Sequence, residues 1–559
     1  ACSVQAEDMN ALSRGFFLVA RAIKEGRRTA AISQNRAIAS CGVMLDVSRG
    51  AVLTVEAVKR YIDYLAVLGL NLLMLYTEDT YEVPEYPYFG YLRGRYQKAD
   101  LMEIDAYAAG LGIEVVPCIQ TLAHLAQFLQ WEDSDSLSDQ PDVLLVDDEA
   151  VYQFINAEIQ SVRECFATNR IHIGMDEAHG IGLGRYMQKH GIPRDRHALL
   201  SRHLNRVVDI CRQYDFHPMM WSDMFFRLSS NTNDYYDENI VIPQSVIDAI
   251  PNVDMCYWDY YHMEQQFYSH MLQQHARMCS NTAFAGGIWT WSGFLPHIKR
   301  TMATMIPALK ACMSQRIDTV FATMWGDDGA ETDFFLGAGL LPMFSETSWQ
   351  GAGCSHDEMM KTTECLINLD WDAYNALGEF FPDESETASG KALLWSDPLF
   401  PLMEGDYEPI DDIVARMRKA LKRLQPYNNR CEIRYAANLM QTVIAKGELV
   451  GKLRGRYLMG DRDWLKQVSD IHIPALIRDY EQVMESHRAL WERDMKRFGW
   501  EILSLRYGGA IGRLKDTAYE INRYLNGQIS VIAELEEKPL PALRIYGHQY
   551  KKMITPYFL

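Results

Sequence analysis

In the stretch RIHIGMDEAH, residues 170 to 179, the first half, Arg170 to Met175, alternates large and small side chains and carries no acid, and Asp176 and Glu177 follow it. That pattern predicts a short strand buried on both faces. Side chains alternate along a strand, so His172, Gly174 and Asp176 are expected on one face, with Glu177 opening the loop that follows. Carboxylates occupy an interior only when paired, hydrogen-bonded or protonated, so two acids at the end of a buried strand need a partner or a task. If both open into a cleft, repulsion and partial desolvation raise at least one pKa and leave a proton donor usable near neutral pH. The competing reading is a helix start, with Asp176 as N-cap and Glu177 in the first turn, ahead of the helical-looking Gly184 to His190. The rest of the chain decides between them.

Outward from this stretch, a unit of apolar strand, polar or acidic strand end and amphipathic helix repeats from Ala39 to about Gln350. The other strand candidates are CGVMLDV (41–47), NLLMLYT (71–77), IEVVPCI (113–119), FHPMMWS (216–222), VDMCYWD (253–259), AFAGGIW (283–289) and DTVFATMW (318–325). Helices fit between them at Thr54 to Leu68, Asp100 to Gly110, Val151 to Phe166, His197 to Tyr214, Met263 to Met278 and Ile298 to Gln315. Eight such units predict an α/β fold, a (β/α)8 TIM barrel over residues 39–350. An open doubly wound sheet would need a glycine-rich first turn, which is missing. Gly180 to Gly184, a Gly-x-Gly-x-Gly run with no strand leading into it, reads as a mobile loop and not a phosphate cradle. The acidic, Ser-rich DSDSLSDQPDVLLVD (133–147) reads as a surface loop over one end of the barrel.

Residues 1–38 hold one helix candidate, Met9 to Ile23, and a strand candidate near Thr29 to Ser33. They are too few for a core of their own and read as a short N-terminal α+β remnant, the end of a preceding domain or a pad on the barrel. From 351 to 559 the strands vanish. Apolar residues recur at helical spacing (Ile413, Met417, Leu421, Leu424; Ile433, Ala437, Met440, Ile444; Leu476, Tyr480, Val483, His487, Leu490), and they predict an all-α C-terminal domain. Pro382, Pro398, Pro401 and Pro409 punctuate its entry, and its residues suggest packing rather than chemistry.

The 559-residue chain is long enough for two or three domains, and 48% hydrophobic with 23% charged residues is the composition of a globular protein. A formal net charge of −19 argues against nucleic acid or an anionic membrane as partner. The 11 cysteines run from Cys2 to Cys431 without a CxxC pair, which suggests reduced thiols and a cytoplasmic location, with secretion disfavoured. No apolar run reaches membrane-spanning length. His172 and His179 lack a credible third metal ligand, and the chemistry that the chain suggests needs neither a metal nor a cofactor.

In a parallel barrel the functional groups sit at the C-terminal ends of the strands. In order these ends offer Asp46 and Arg49; Glu78 and Asp79; Gln120 and His124; Asp176 and Glu177; Trp221 and Asp223; Tyr257, Trp258 and Asp259; Trp289 and Trp291; Trp325 and Asp327. Tyr257 and Asp259 are two apart, as are Trp325 and Asp327, so each pair is expected to share a face. Acids, indoles and one arginine on a single rim suggest a sugar site, because flat rings pack on the apolar face of a pyranose while carboxylates and arginine bind its hydroxyls. Individually, Trp289 or Trp291 could fill the barrel, His124 and His172 could be core histidines, and Arg49 could simply neutralise Asp46. Eight coincident strand ends outweigh those separate readings.

With these residues in view, the chain resembles the glycoside hydrolase family 20 β-N-acetylhexosaminidases, over about residues 39 to 345. Their His-x-Gly-x-Asp-Glu signature is matched by His172, Gly174, Asp176 and Glu177. Arg49 is similar to the family's hydroxyl-binding arginine, His124 to its histidine after the third strand, and Trp221 to an aromatic wall of its pocket. Tyr257 and Asp259 resemble a Tyr-x-Asp pair in which the tyrosine contacts the acetamido group, and Trp325 and Asp327 a Trp-x-Glu element with aspartate in place of glutamate. The second strand end, YTEDTYEV, departs from the histidine-rich and Asp-Asp-Gln patterns of many members. The helical extension is similar to that of a bacterial, often dimeric branch.

The resemblance implies exo-hydrolysis of a terminal β-linked N-acetylglucosamine or N-acetylgalactosamine from a glycan or glycoconjugate, with retention, the substrate's 2-acetamido oxygen serving as nucleophile. Glu177 would be general acid and then base, Asp176 would orient the acetamido group, and Tyr257 would hold its oxygen. Arg49, Glu78, His124, His172, Trp221, Asp259, Trp289, Trp291, Trp325 and Asp327 would bind the sugar. The resemblance also implies a homodimer. Two other readings stay open: a retaining glycosidase with a carboxylate nucleophile such as Asp327, and a noncatalytic carbohydrate-binding protein.

Overall fold

The structure is a computed structural model that describes residues 3–232, 234–351, 355–400, 402–403, 408–540 and 549–555. Cys2, Cys354 and Pro401 lie outside the described residues. Contacts divide the chain into two compact units. The first comprises residues 1–287, 302–324 and 340–366; the second comprises 288–301, 325–339 and 367–559.

The first unit contains eight parallel strands, β1 (Ser40–Asp46), β2 (Leu72–Tyr76), β3 (Glu114–Cys118), β4 (Arg170–His172), β5 (His217–Trp221), β6 (Asp254–Trp258), β7 (Thr282–Gly287) and β8 (Thr319–Met324). Each of the eight expected segments coincides with one of them, β1 and β7 starting one residue earlier than expected. They close in the order β1-β8-β7-β6-β5-β4-β3-β2, with Val43 of β1 opposite both Ala322 of β8 and Leu73 of β2. The strands are buried on both faces because helices cover the outside, which accounts for their near-continuous apolar sequences. Asp46, Tyr76, Cys118 and His172 fall in one register across β1 to β4.

The helices follow the expected periodicity, with ends set by local chemistry. In the first crossover helix, Val55–Leu68, the Thr54 side chain accepts the Ala57 amide at 3.2 Å, and Gly69 closes the helix in the left-handed conformation. The N-terminal helix Met9–Lys24 packs on that helix through a buried arginine: Arg14 pairs with Glu346 at 2.9 Å and donates to the Leu68 carbonyl at 2.9 Å. The strand expected at Thr29 to Ser33 does not form; these residues are exposed and have no ladder partner among the described residues.

The acidic segment is less superficial than its composition suggests. It forms a 3-10 turn, Glu132–Leu137, and a ribbon pairing Ser138–Gln140 with Val143–Leu144, and Leu137, Val143 and Leu144 are buried. Asp139 inside it accepts the amides of Gly182 at 3.1 Å, Gly184 at 3.4 Å and Tyr186 at 2.6 Å. The glycine run is thus clamped by a buried carboxylate, not loose, and leads into the short helix Arg185–His190.

The second unit is helical, led by Ile410–Leu424, Cys431–Leu458, Ile473–Asp494 and Trp500–Leu525. Most expected core positions are buried; in Cys431–Leu458 the buried stripe runs through Ala436 where Ala437 was expected. Lys391, fully buried, meets Glu331 at 2.6 Å and Asp328 at 2.7 Å, and Arg506 meets the same two acids at 2.8 and 3.1 Å. This cluster ties the segment after β8 to the helices of its own unit. No helix among the described residues is long and apolar enough to cross a membrane.

Candidate active site

Strand β4 stops at His172, three residues earlier than its sequence pattern predicts. Gly174, Met175 and Glu177 all take positive φ, at 70°, 74° and 52°, so strict alternation does not carry through to Asp176. Gly174 is required twice over. A β-carbon there would lie 2.1 Å from Gln120 Oε1 and 2.8 Å from the Ile119 carbonyl, in a conformation that L residues resist. The turn seats Asp176 and Glu177 side by side above β3 and β5, and neither caps a helix.

Asp176 is held tightly. Gln120 Nε2 donates to its Oδ1 at 2.8 Å, and His124 Nε2 lies 3.1 Å from its Oδ2, an ion pair whose alignment falls short of a good hydrogen bond. Burial pushes this carboxyl up, but His124, then Gln120 and Arg49, outweigh it and hold the group below its ordinary range. Burial pulls His124 down, yet Asp176 and then Glu177 overcome this and raise it to about 9. The pair is therefore a carboxylate facing an imidazolium at neutral pH.

Glu177 is the more open of the two acids. Its side chain is 35% exposed against 10% for Asp176, and His124 Nε2 stands 3.4 Å from its Oε2. Its other oxygen accepts the hydroxyl of Tyr235 at 2.6 Å, and Tyr235 also meets His179 Nε2 at 3.1 Å. The Glu177 amide donates to Asp223 Oδ2 at 3.0 Å, and the Trp258 indole N–H donates to Asp223 Oδ1 at 3.2 Å. Asp223 is pushed above its ordinary range by burial and then by the nearby Asp176. Tyr235 has no sequence signal: it lies in an irregular segment after the short helix Asp223–Ser229.

On the other side of Asp176, Gln120 also donates to the Tyr76 hydroxyl at 3.0 Å, and that hydroxyl donates to Glu78 Oε1 at 3.3 Å. Arg49 stacks over the Tyr76 ring at 4.9 Å and lies 3.5 Å from both Asp46 and Glu78. Burial, only partly opposed by Arg49, raises Glu78 to about 7. Beneath the pair, His172 packs on Trp221 with ring centroids 4.2 Å apart, and its Nδ1 accepts the Gly174 amide at 3.1 Å. Burial pulls His172 to about 3, so it is neutral and carries its proton on Nε2.

Tyr257 and Asp259 sit differently from expectation. The Tyr257 ring faces the helix Gln265–His275, 4.8 Å from His275 and 6.4 Å from Tyr268, and is fully buried. Its hydroxyl donates to Asp259 Oδ2 at 2.7 Å, an oxygen that also meets His262 Nδ1 at 2.8 Å, while Asp259 Oδ1 accepts the Tyr261 amide at 2.9 Å. Alternation turns the adjacent Trp258 the other way, 5.2 Å from Tyr235. Tyr257 thus braces Asp259 and the outer helix and is not placed to grip an acetamido oxygen, whereas Trp258 faces the acid pair's neighbours.

Trp289, Trp291, Trp325 and Asp327 follow β7 and β8 in the chain and belong to the second unit. There Trp289 and Trp291 stack at 4.3 Å, Arg300 lies over Trp289 at 4.9 Å, and Thr290 donates to the Trp325 carbonyl at 2.8 Å. Trp325 is buried and Asp327 half-buried. Among the described residues no group of His, Cys, Asp or Glu is arranged to hold a metal.

Comparison with known proteins bears on this geometry. The model of the glycosyl hydrolase family 20 catalytic domain matches residues 41–246, and that of the glycoside hydrolase 20C C-terminal domain matches residues 375–555. Hexosaminidase D of Bos taurus is 28% identical over 172 residues, which cover 28% of this chain and 48% of that protein, so the match spans about half of the relative. Among solved structures, a β-N-acetylhexosaminidase from Streptomyces coelicolor A3(2) aligns at 19% identity and TM-score 0.44, covering 60% of this chain and 71% of that one. One from Bacteroides fragilis aligns at 18% and 0.44, covering 62% and 74%.

Proposed function

Because the chain belongs to glycoside hydrolase family 20, we propose that it removes terminal β-linked N-acetylhexosamines from glycans with retention, using the substrate's own acetamido group as nucleophile. One observation carries this reading: a buried carboxylate kept ionised by His124, Gln120 and Arg49 stands directly beside a more open one. Backbone neighbours cannot flank the anomeric carbon from opposite faces at the roughly 5 Å that an acid and an enzyme nucleophile require. They can serve the glycosidic oxygen and the adjoining acetamido group.

Glu177 is then the acid that protonates the leaving oxygen and the base that activates water in the second step. Its Oε1 receives the Tyr235 hydroxyl, which leaves Oε2 for the transferred proton. Asp176 accepts the acetamido N–H and stabilises the positive charge that grows on nitrogen as its oxygen closes on the anomeric carbon to form the oxazolinium. Arg49 and Glu78 suit sugar hydroxyls, and Trp258 suits a wall of the sugar pocket. A cytoplasmic location is supported by nine described cysteines that are free thiols. A homodimer completes the proposal and is read directly by light scattering.

The separate roles are tested with two leaving groups. Glu177→Gln is expected to retain release of dinitrophenol, which needs no proton, and to lose release of a sugar alcohol, whereas Asp176→Asn loses both. Equal behaviour of the two variants contradicts the assignment.

A further inference from the structure

We propose that a cavity beside Glu177, lined by His179, Arg194, Asp195, Arg196, His197 and Arg227, binds the carboxylate of an anionic sugar on the leaving-group side of the substrate. The proposal rests on the hexosaminidase reading and adds the class of aglycone that the enzyme prefers.

The cavity measures about 360 Å³, at the lower end of the ~300–1,000 Å³ that small-molecule sites span. Three arginines and two histidines line it in a chain with 74 acidic and 55 basic residues. In such a chain an arginine cluster would be expected to find carboxylate partners, yet among the described residues none of Arg194, Arg196 and Arg227 forms an ion pair. Arg196 donates to the carbonyls of Ile181 and His179, and Arg227 lies over the Tyr235 ring at 4.9 Å. The lining acid, Asp195, turns its Oδ1 to the Ala198 amide at 3.1 Å as N-cap of the helix Arg196–Gln213. Guanidinium groups without a carboxylate partner around a concave space form a binding surface for an anion, and their planar forks fit a carboxylate.

The position of the cavity specifies which part of the substrate it meets. Tyr235 joins it to the acid: its hydroxyl reaches Glu177 at 2.6 Å and His179 at 3.1 Å, and its ring carries Arg227. The other oxygen of Glu177, Oε2, faces His124 at 3.4 Å, and His124 and Gln120 in turn hold Asp176. A group held here is one side chain, Tyr235, away from the carboxyl assigned to the leaving oxygen, and it lies apart from Asp176, the acid assigned to the acetamido group, so the proposal gives the cavity to the aglycone.

The test compares two disaccharides, β-N-acetylglucosaminyl-glucuronic acid and the same compound with its carboxyl reduced to hydroxymethyl, alongside an aryl β-N-acetylglucosaminide. A charge-assisted contact of this kind predicts kcat/KM about tenfold higher for the acid at low ionic strength. Added salt shrinks this preference, and Arg227→Gln and Arg194→Gln each bring the ratio towards one, the reduced disaccharide serving as internal reference for folding. A wild-type ratio near one, or a preference that both substitutions leave intact, overturns the inference while leaving the hexosaminidase reading standing. Failure to cleave even the aryl glycoside overturns that reading and the inference with it.

Discussion

The Tyr235 hydroxyl donates a 2.6 Å hydrogen bond to Glu177 Oε1, so a loop residue with no periodic sequence signal fixes the orientation of the more exposed acid. In the proposed mechanism this bond selects which oxygen faces the leaving group. Loss of such positioning lowers turnover more than binding. Tyr235→Phe is expected to reduce kcat about tenfold for poor leaving groups, with KM nearly unchanged. Steady-state kinetics on a disaccharide and on a dinitrophenyl glycoside separates this from a folding defect, because the activated substrate needs little proton donation and should be spared.

The Asp176 and His124 pair makes its own prediction about pH. His124 titrates at about 9 because Asp176 outweighs the effect of burial. Its folded pKa lies above the unfolded value of about 6.5. The stabilisation it brings is thus complete below pH ~6.5 and is lost as pH rises through about 9. In Asp176→Asn the imidazole loses that partner and burial takes over, so its pKa should fall below the ordinary histidine value. NMR titration of the His124 ring checks this, and an unchanged pKa in the variant would refute the pairing.

Gly174 gives a backbone test. With φ at 70° and the Gln120 amide where a β-carbon would stand, Gly174→Ala must displace the side chain that holds Asp176. A loss of about 1–3 kcal/mol in stability is expected, together with an activity loss larger than the melting shift explains. Denaturant unfolding and kcat/KM, measured on the same preparation, make the comparison.

Much of this was legible in the sequence. The eight strands announce themselves by apolar runs ending in acids or indoles, and the C-terminal helices by their spacing, because both report burial, which sequence records directly. Less legible was anything set by chain geometry at a single point. RIHIGMD reads as one strand, but it ends at His172 because the three left-handed residues beyond it include Met175 and Glu177, whose types give no warning. The Tyr257 face could not be chosen, since alternation fixes only that Tyr257 and Trp258 oppose each other. The pairing of Cys256 with Trp221 in the closed barrel sets which one looks inward. In the acidic segment the charge pattern hides the few residues that bury it, Leu137 and Val143, and the carboxylate of Asp139 that clamps the glycine loop.

The central claim is that the nucleophile belongs to the substrate. It is tested most directly by hydrolysis of aryl β-N-acetylglucosaminide, β-N-acetylgalactosaminide and β-glucoside side by side, with and without a thiazoline that mimics the oxazolinium. The account predicts cleavage of the acetamido sugars alone, abolished by the thiazoline. Comparable cleavage of the plain glucoside, insensitive to the thiazoline, would place the nucleophile on the protein and contradict it.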